Sequence, residues 1–259
     1  MEKNIYLSKK EQEVFNVLRD LKNPVIEHDQ LKDVFQHNKY LNKTISSLIR
    51  KKYFLKIKKG LYLIQKEPSD KINIDDIYAI ALRIKKGYFA FSTALRLHNL
   101  MEYEPFTIYI ATSHKPEEIK ISNYLIKAVN YTKIGNITTI NKYPVSTKEK
   151  TFFDCFNKPQ YCGGFYQITN ALYSTRINWK ILLTYFKKHA SNVLCQKTGY
   201  ILEQMKEKTN YEIPNYVINY LKTRIKNKVY LIAGQKGGKY NKEWKLTDND
   251  RNFLKWYYG

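Results

Sequence analysis

From Lys39 to Ile64 the chain changes its hydrophobic period once, from helical to alternating, and this change constrains the amino-terminal fold more than any other feature. Leu41, Ile45, Leu48 and Ile49 recur at the spacing of one helical face, leaving Lys39, Asn42, Lys43, Ser46, Ser47 and Arg50 on the other. Residues 53–64 then hold two short alternating runs around a Lys58-Lys59-Gly60 turn, which predicts a hairpin.

Two helices are expected upstream. Ser8 and Glu11 have the spacing of a capping box, Val14, Leu18 and Leu21 share a face, and Asn23-Pro24 is a stop. A shorter helix fits His28 to Phe35, with Leu31, Val34 and Phe35 inward, and Asn38 is the expected cap of the third. Three helices and a hairpin predict a winged helix-turn-helix over residues 1–68.

Glu67-Pro68-Ser69-Asp70 has the composition of a linker, so residues 69–259 are expected to form a larger mixed α/β domain, and the whole an α+β protein. Helices are predicted at 75–85, 92–100, 147–156, 166–173, 179–189 and 197–205. Strands are predicted at 106–111 and 137–140, and at 229–233 and 243–246 around a turn at 234–238.

The sequence holds 45 Lys and Arg against 23 Asp and Glu, a net charge of +22, which favours a polyanionic partner. A Lys-rich composition inherited from an AT-rich genome would give the same total. The local pattern is more specific: residues 39–59 contain eight basic side chains and no acidic one. A helix fits the major groove of duplex DNA, and a basic wing reaches neighbouring phosphates. Base edges need directional donors and acceptors, which assigns reading to Asn42, Ser46, Ser47 and Arg50, and phosphate contact to Lys39, Lys43, Lys56, Lys58 and Lys59. A solvated face that binds protein is the competing reading.

No apolar run of about 18 residues suggests a membrane span, and the amino terminus lacks the pattern of a secretory signal, so a cytoplasmic protein is expected. Cys155, Cys162 and Cys195 include no C-x-x-C pair, indicating reduced thiols and neither a disulfide framework nor a zinc site. Nucleotide-binding loops and zinc-protease motifs are absent. Gly237-Gly238-Lys239 reads as a turn, Glu118-Ile119-Lys120 only faintly suggests a nuclease centre, and His98 reads as a hydrogen-bonded packing residue. No cofactor, metal or enzymatic activity is expected.

The segments Phe91 to Leu100, Ile108 to Thr112 and Lys148 to Phe156, followed by Pro159 and Gly163-Gly164, resemble the AbiEi-type antitoxins of abortive-infection, type IV toxin-antitoxin systems. Arg50 to Tyr53 and Lys58 to Tyr62 are similar to that family's recognition-helix end and wing. The resemblance implies a repressor of its own operon, acting at inverted repeats, with a nucleotidyltransferase toxin as functional partner. For Ser92, His98, Glu149, Lys150, Thr151 and Asp154 two readings stand: an antitoxin surface, or helix capping and core bonding. Asp154 follows Lys150 by one turn, the spacing of a surface ion pair worth about 0.2 to 0.5 kcal/mol when exposed. Other readings are a stand-alone transcription factor with a ligand- or protein-binding second domain, a nucleic-acid-processing enzyme, and an RNA-binding module with aromatics exposed on a sheet. No heptad run forces pairing, so a monomer or weak dimer is expected.

Overall fold

The computed structural model describes residues 6–19, 24–34, 40–68, 74–102, 106–131, 135–250 and 252–258. In chain order the first elements are α1 (Lys9–Arg19), β1 (Val25–Glu27), α2 (His28–Val34), α3 (Leu41–Arg50), β2 (Phe54–Lys58), β3 (Leu61–Ile64), α4 (Ile77–Ile84), β4 (Tyr88–Phe89), α5 (Phe91–Leu97), β5 (Thr107–Thr112), β6 (Glu117–Ile121) and β7 (Tyr124–Asn130). After them come β8 (Ile137–Ile140), β9 (Tyr143–Ser146), α6 (Lys148–Asn157), α7 (Gly164–Tyr173), α8 (Trp179–His189), α9 (Asn192–Lys208), α10 (Asn215–Lys222), β10 (Val229–Tyr230), β11 (Lys239–Asn241) and β12 (Leu246–Asp248). The protein is a mixed α+β fold.

The chain forms two compact units, Met1–Gly87 with Phe106–Val129, and Tyr88–Pro105 with Asn130–Gly259. In the first, Phe15, Leu18, Leu31, Leu41, Ile45 and Leu48 from the three helices share a core with Phe54, Tyr62 and Ile64 of the sheet. That sheet has the order β1-β3-β2 and is antiparallel throughout. β1 has no signature in the sequence: three residues are too few to display a period, and it exists by pairing Val25 with Leu63 and Glu27 with Leu61. The capping box forms, with the Ser8 amide donating to Glu11 Oε2 at 2.6 Å and the Glu11 amide to Ser8 Oγ at 3.4 Å. Leu21, the stop at Asn23, Phe35, the expected cap Asn38 and the linker residues Ser69 and Asp70 lie outside the described residues.

Farther along this unit, Asp76 caps α4 by accepting from the Ala79 amide at 2.9 Å. β7 lies between β6 and β5. β6 and β7 form an antiparallel hairpin, with Glu118 opposite Lys127 and Ile119 opposite Ile126.

In the second unit β9 lies between β4 and β8, parallel to the former and antiparallel to the latter. Phe152, Phe153 and Phe156 of α6 are buried, with Phe153 edge-on to Phe186 of α8 at 5.3 Å between centroids. α9 is longer than its predicted 197–205 span because Ser191 caps it, accepting from the Leu194 amide at 3.1 Å. Cys155, Cys162 and Cys195 are buried free thiols. No helix among the described residues is long and apolar enough to cross a membrane.

Candidate nucleic-acid interface

α3 divides its residues as its period requires. Leu41, Ile45 and Leu48 are buried, while Asn42, Lys43, Ser46 and Arg50 are exposed. The exposed set therefore forms one polar, positive face with two directional side chains, one point charge and one planar fork. Lys39 lies outside the described residues.

The hairpin that follows turns at Lys59-Gly60, where Gly60 has φ +76°, a conformation that side-chain-bearing residues rarely adopt. The Gly60 carbonyl accepts from the His28 amide at 2.8 Å, which ties the turn to the start of α2. Lys56 and Lys59 are exposed on this hairpin.

Other polar groups of this stretch are engaged by carboxylates distant in sequence. Lys58 Nζ lies 2.8 Å from Glu117 Oε1 on β6, and Lys85 shares that carboxylate at 3.3 Å. Lys51 is 2.7 Å from Glu11, and both side chains are largely buried. Burial of Glu11 opposes its ionisation, but hydrogen bonds from Lys51, the Ser8 amide, Ser47 and the Ser8 hydroxyl outweigh it and hold the carboxyl at about 2. Ser47 thus lies beside a carboxylate of the fold, and its hydroxyl accepts from the Arg50 guanidinium at 3.5 Å. The acid-free stretch in sequence is partly neutralised in space, a feature that sequence separation hides.

The second group of candidate residues lies inside the second unit. Lys150 and Asp154 are 1% and 0% exposed and bonded at 2.6 Å, and the Tyr131 hydroxyl donates to Asp154 Oδ1 at 2.7 Å. Lys150 Nζ also lies 4.7 Å from the Tyr131 ring centroid, and Asn157 donates to the Tyr131 hydroxyl at 3.2 Å. Thr151 Oγ1 donates to the Ser146 carbonyl at 3.1 Å, and His98 Nε2 meets the same carbonyl at 2.8 Å. Glu149 accepts from the Asn178 amide at 2.9 Å at the start of α8, and Ser92 is buried. These contacts are capping and core bonding. The Lys150 to Asp154 pair is a buried one, not the surface pair that its spacing alone allows.

Glu118-Ile119-Lys120 belongs to a regular strand whose successive side chains alternate between faces, so Glu117 and Glu118 diverge, and Glu118 pairs with Lys127. Gly237 and Gly238, at φ +85° and +104°, form the turn before β11. Sequence reasoning missed Glu11 and Glu117 as partners of the basic face; the capping box located Glu11, but nothing local pointed to Lys51 or Lys58.

A solved structure shares this fold. The Rv2827c protein from Mycobacterium tuberculosis superposes with a TM-score of 0.69 at 11% identity, covering 98% of this chain and 96% of that one. No family model matches the sequence, and no curated protein does.

Proposed function

We propose that the chain is a sequence-specific, duplex-DNA-binding transcriptional repressor whose residues 1–68 form a winged helix-turn-helix, with α3 as recognition helix and the β2–β3 hairpin as wing. The observation that carries this reading is the exposed face of Asn42, Lys43, Ser46 and Arg50, followed by exposed Lys56 and Lys59, with no acidic residue between positions 39 and 59. The order α1-β1-α2-α3-β2-β3 and the sheet order β1-β3-β2 support it. Lys43, Lys56 and Lys59 hold phosphates, while Asn42, Ser46 and Arg50 meet base edges.

The antitoxin part of the reading, a repressor that controls its own operon at inverted repeats and counters a nucleotidyltransferase toxin in the cytoplasm, rests on motif resemblance. Buried Lys150, Thr151 and Asp154 serve it by holding their unit together. The reading requires no enzymatic activity.

A titration of labelled duplex from the chain's own upstream region, against a scrambled duplex at two salt concentrations, tests the proposal. Tighter, salt-sensitive binding to the upstream fragment supports it, and no binding to either duplex refutes it.

A stand-alone regulator with a ligand-binding second domain is favoured by one feature, a cavity of about 540 Å³ walled by Phe156, Phe165, Val193 and Leu231, with Lys197 and Asp250 at its lining.

A further inference from the structure

The small sheet β10-β12-β11 of the second unit carries a charged aromatic surface that duplex recognition by α3 does not use. Tyr230 and Tyr240 both pair with Thr247, on opposite sides of β12, so the three side chains form one row on one face. Neighbouring Leu231 and Leu246 point the other way and are 1% and 0% exposed. The two tyrosines are 50% and 43% exposed.

This face is firmly mounted. Trp244 is fully buried, and Gln196 of α9 donates to the Asn227 carbonyl at 2.9 Å and the Lys245 carbonyl at 3.2 Å. It is also positive: residues 224–242 include six basic side chains and no acidic one. Lys228 Nζ lies over one face of the Tyr240 ring, 4.6 Å from its centroid. The nearby carboxylates are engaged, Glu243 with Lys222 at 3.0 Å and Asp248 with the Tyr200 hydroxyl at 2.7 Å.

We propose that this face binds single-stranded nucleic acid, with unpaired bases stacking on Tyr230 and Tyr240 and the surrounding lysines contacting the backbone. Aromatic rings in a row on a sheet, set among cations, recognise bases through their faces, which only unpaired bases expose. Tyr230 and Tyr240 sit on strands about 10 Å apart, two strand spacings, a separation that lets each serve a different base.

The test uses the full chain and two fluorescein-labelled probes, a 12-nucleotide oligo-dT and a 12-nucleotide oligo-U. Tyr230→Ala and Tyr240→Ala should each weaken binding at least about fivefold, while Tyr230→Phe and Tyr240→Phe retain it. Thr247→Glu, a carboxylate at the centre of the row, should weaken it as well, and thermal melting identifies the folded variants. Equal affinity for both probes indicates recognition through base faces, and preference for oligo-U adds a contact to the 2′-hydroxyl. The same Tyr dependence is expected in a Lys43→Ala/Arg50→Ala background, which separates this site from α3. Absence of binding to both probes, or folded Tyr→Ala and Thr247→Glu variants that bind like the parent, overturns the proposal and leaves the face to a protein partner.

Discussion

Lys58 of the hairpin lies 2.8 Å from Glu117 of β6, a carboxylate 59 positions away in the chain. The pair holds the hairpin to β6 and occupies a charge that the sequence offers to phosphate. Lys56→Ala and Lys59→Ala should each flatten the negative slope of log K against log salt by about 0.9, whereas Lys58→Ala leaves it nearly unchanged. Glu117→Gln releases Lys58 and should strengthen duplex binding at low salt. Equal slope changes for all three lysines would show that the ion pair opens on binding.

Acid should loosen the first unit through Glu11. Its folded carboxyl titrates at about 2, below the ordinary 4.5, so its contribution is present above pH 4.5 and disappears as pH falls toward 2. The contribution is at most about 3 kcal/mol, and smaller to the extent that solvent screens the carboxylate. Glu11→Gln should remove most of that pH dependence, measured by urea unfolding between about pH 2 and 6, and an unchanged profile would exclude Glu11 as its source.

The Lys150 to Asp154 pair should behave as core. Asp154→Ala leaves a buried ammonium without its carboxylate and should destabilise the protein by about 3 to 5 kcal/mol, while Lys150→Met/Asp154→Leu costs much less. Duplex DNA affinity of the folded double variant should match the parent. A double variant as unstable as Asp154→Ala would contradict this assignment.

How much of this was legible follows from what each feature depends on. The face of α3, the Ser8 and Glu11 cap and the turn at Gly60 are local, and the sequence displays them, whereas α1 buries Glu11, Phe15 and Leu18 and leaves Val14 of the expected face only partly buried. β1 and β4 are two or three residues long and exist only through their partners. The β6–β7 hairpin shows alternation, but Glu118-Ile119-Lys120 draws attention to its charges before its period. Asn42, Lys43, Ser46 and Arg50 were readable as a surface, whereas the pairing of Lys51 with Glu11 and of Lys58 with Glu117 depends on tertiary contact.

Gly199 should tolerate no side chain. A Cβ there would come within 2.2 Å of the Trp244 indole, which is fully buried against α9. Gly199→Ala should lower the melting temperature despite the better helix propensity of alanine, because overpacking costs about 1 to 3 kcal/mol. A raised melting temperature would mean that Trp244 moves aside freely.

The most direct test of the central claim is the ratio of dissociation constants for upstream and scrambled duplexes, measured for the parent and for Asn42→Ala/Ser46→Ala/Arg50→Ala. If α3 reads bases, the ratio collapses toward one in the folded triple variant while nonspecific, salt-sensitive binding persists. A triple variant that keeps the parent's ratio would contradict the assignment of α3 as the recognition helix.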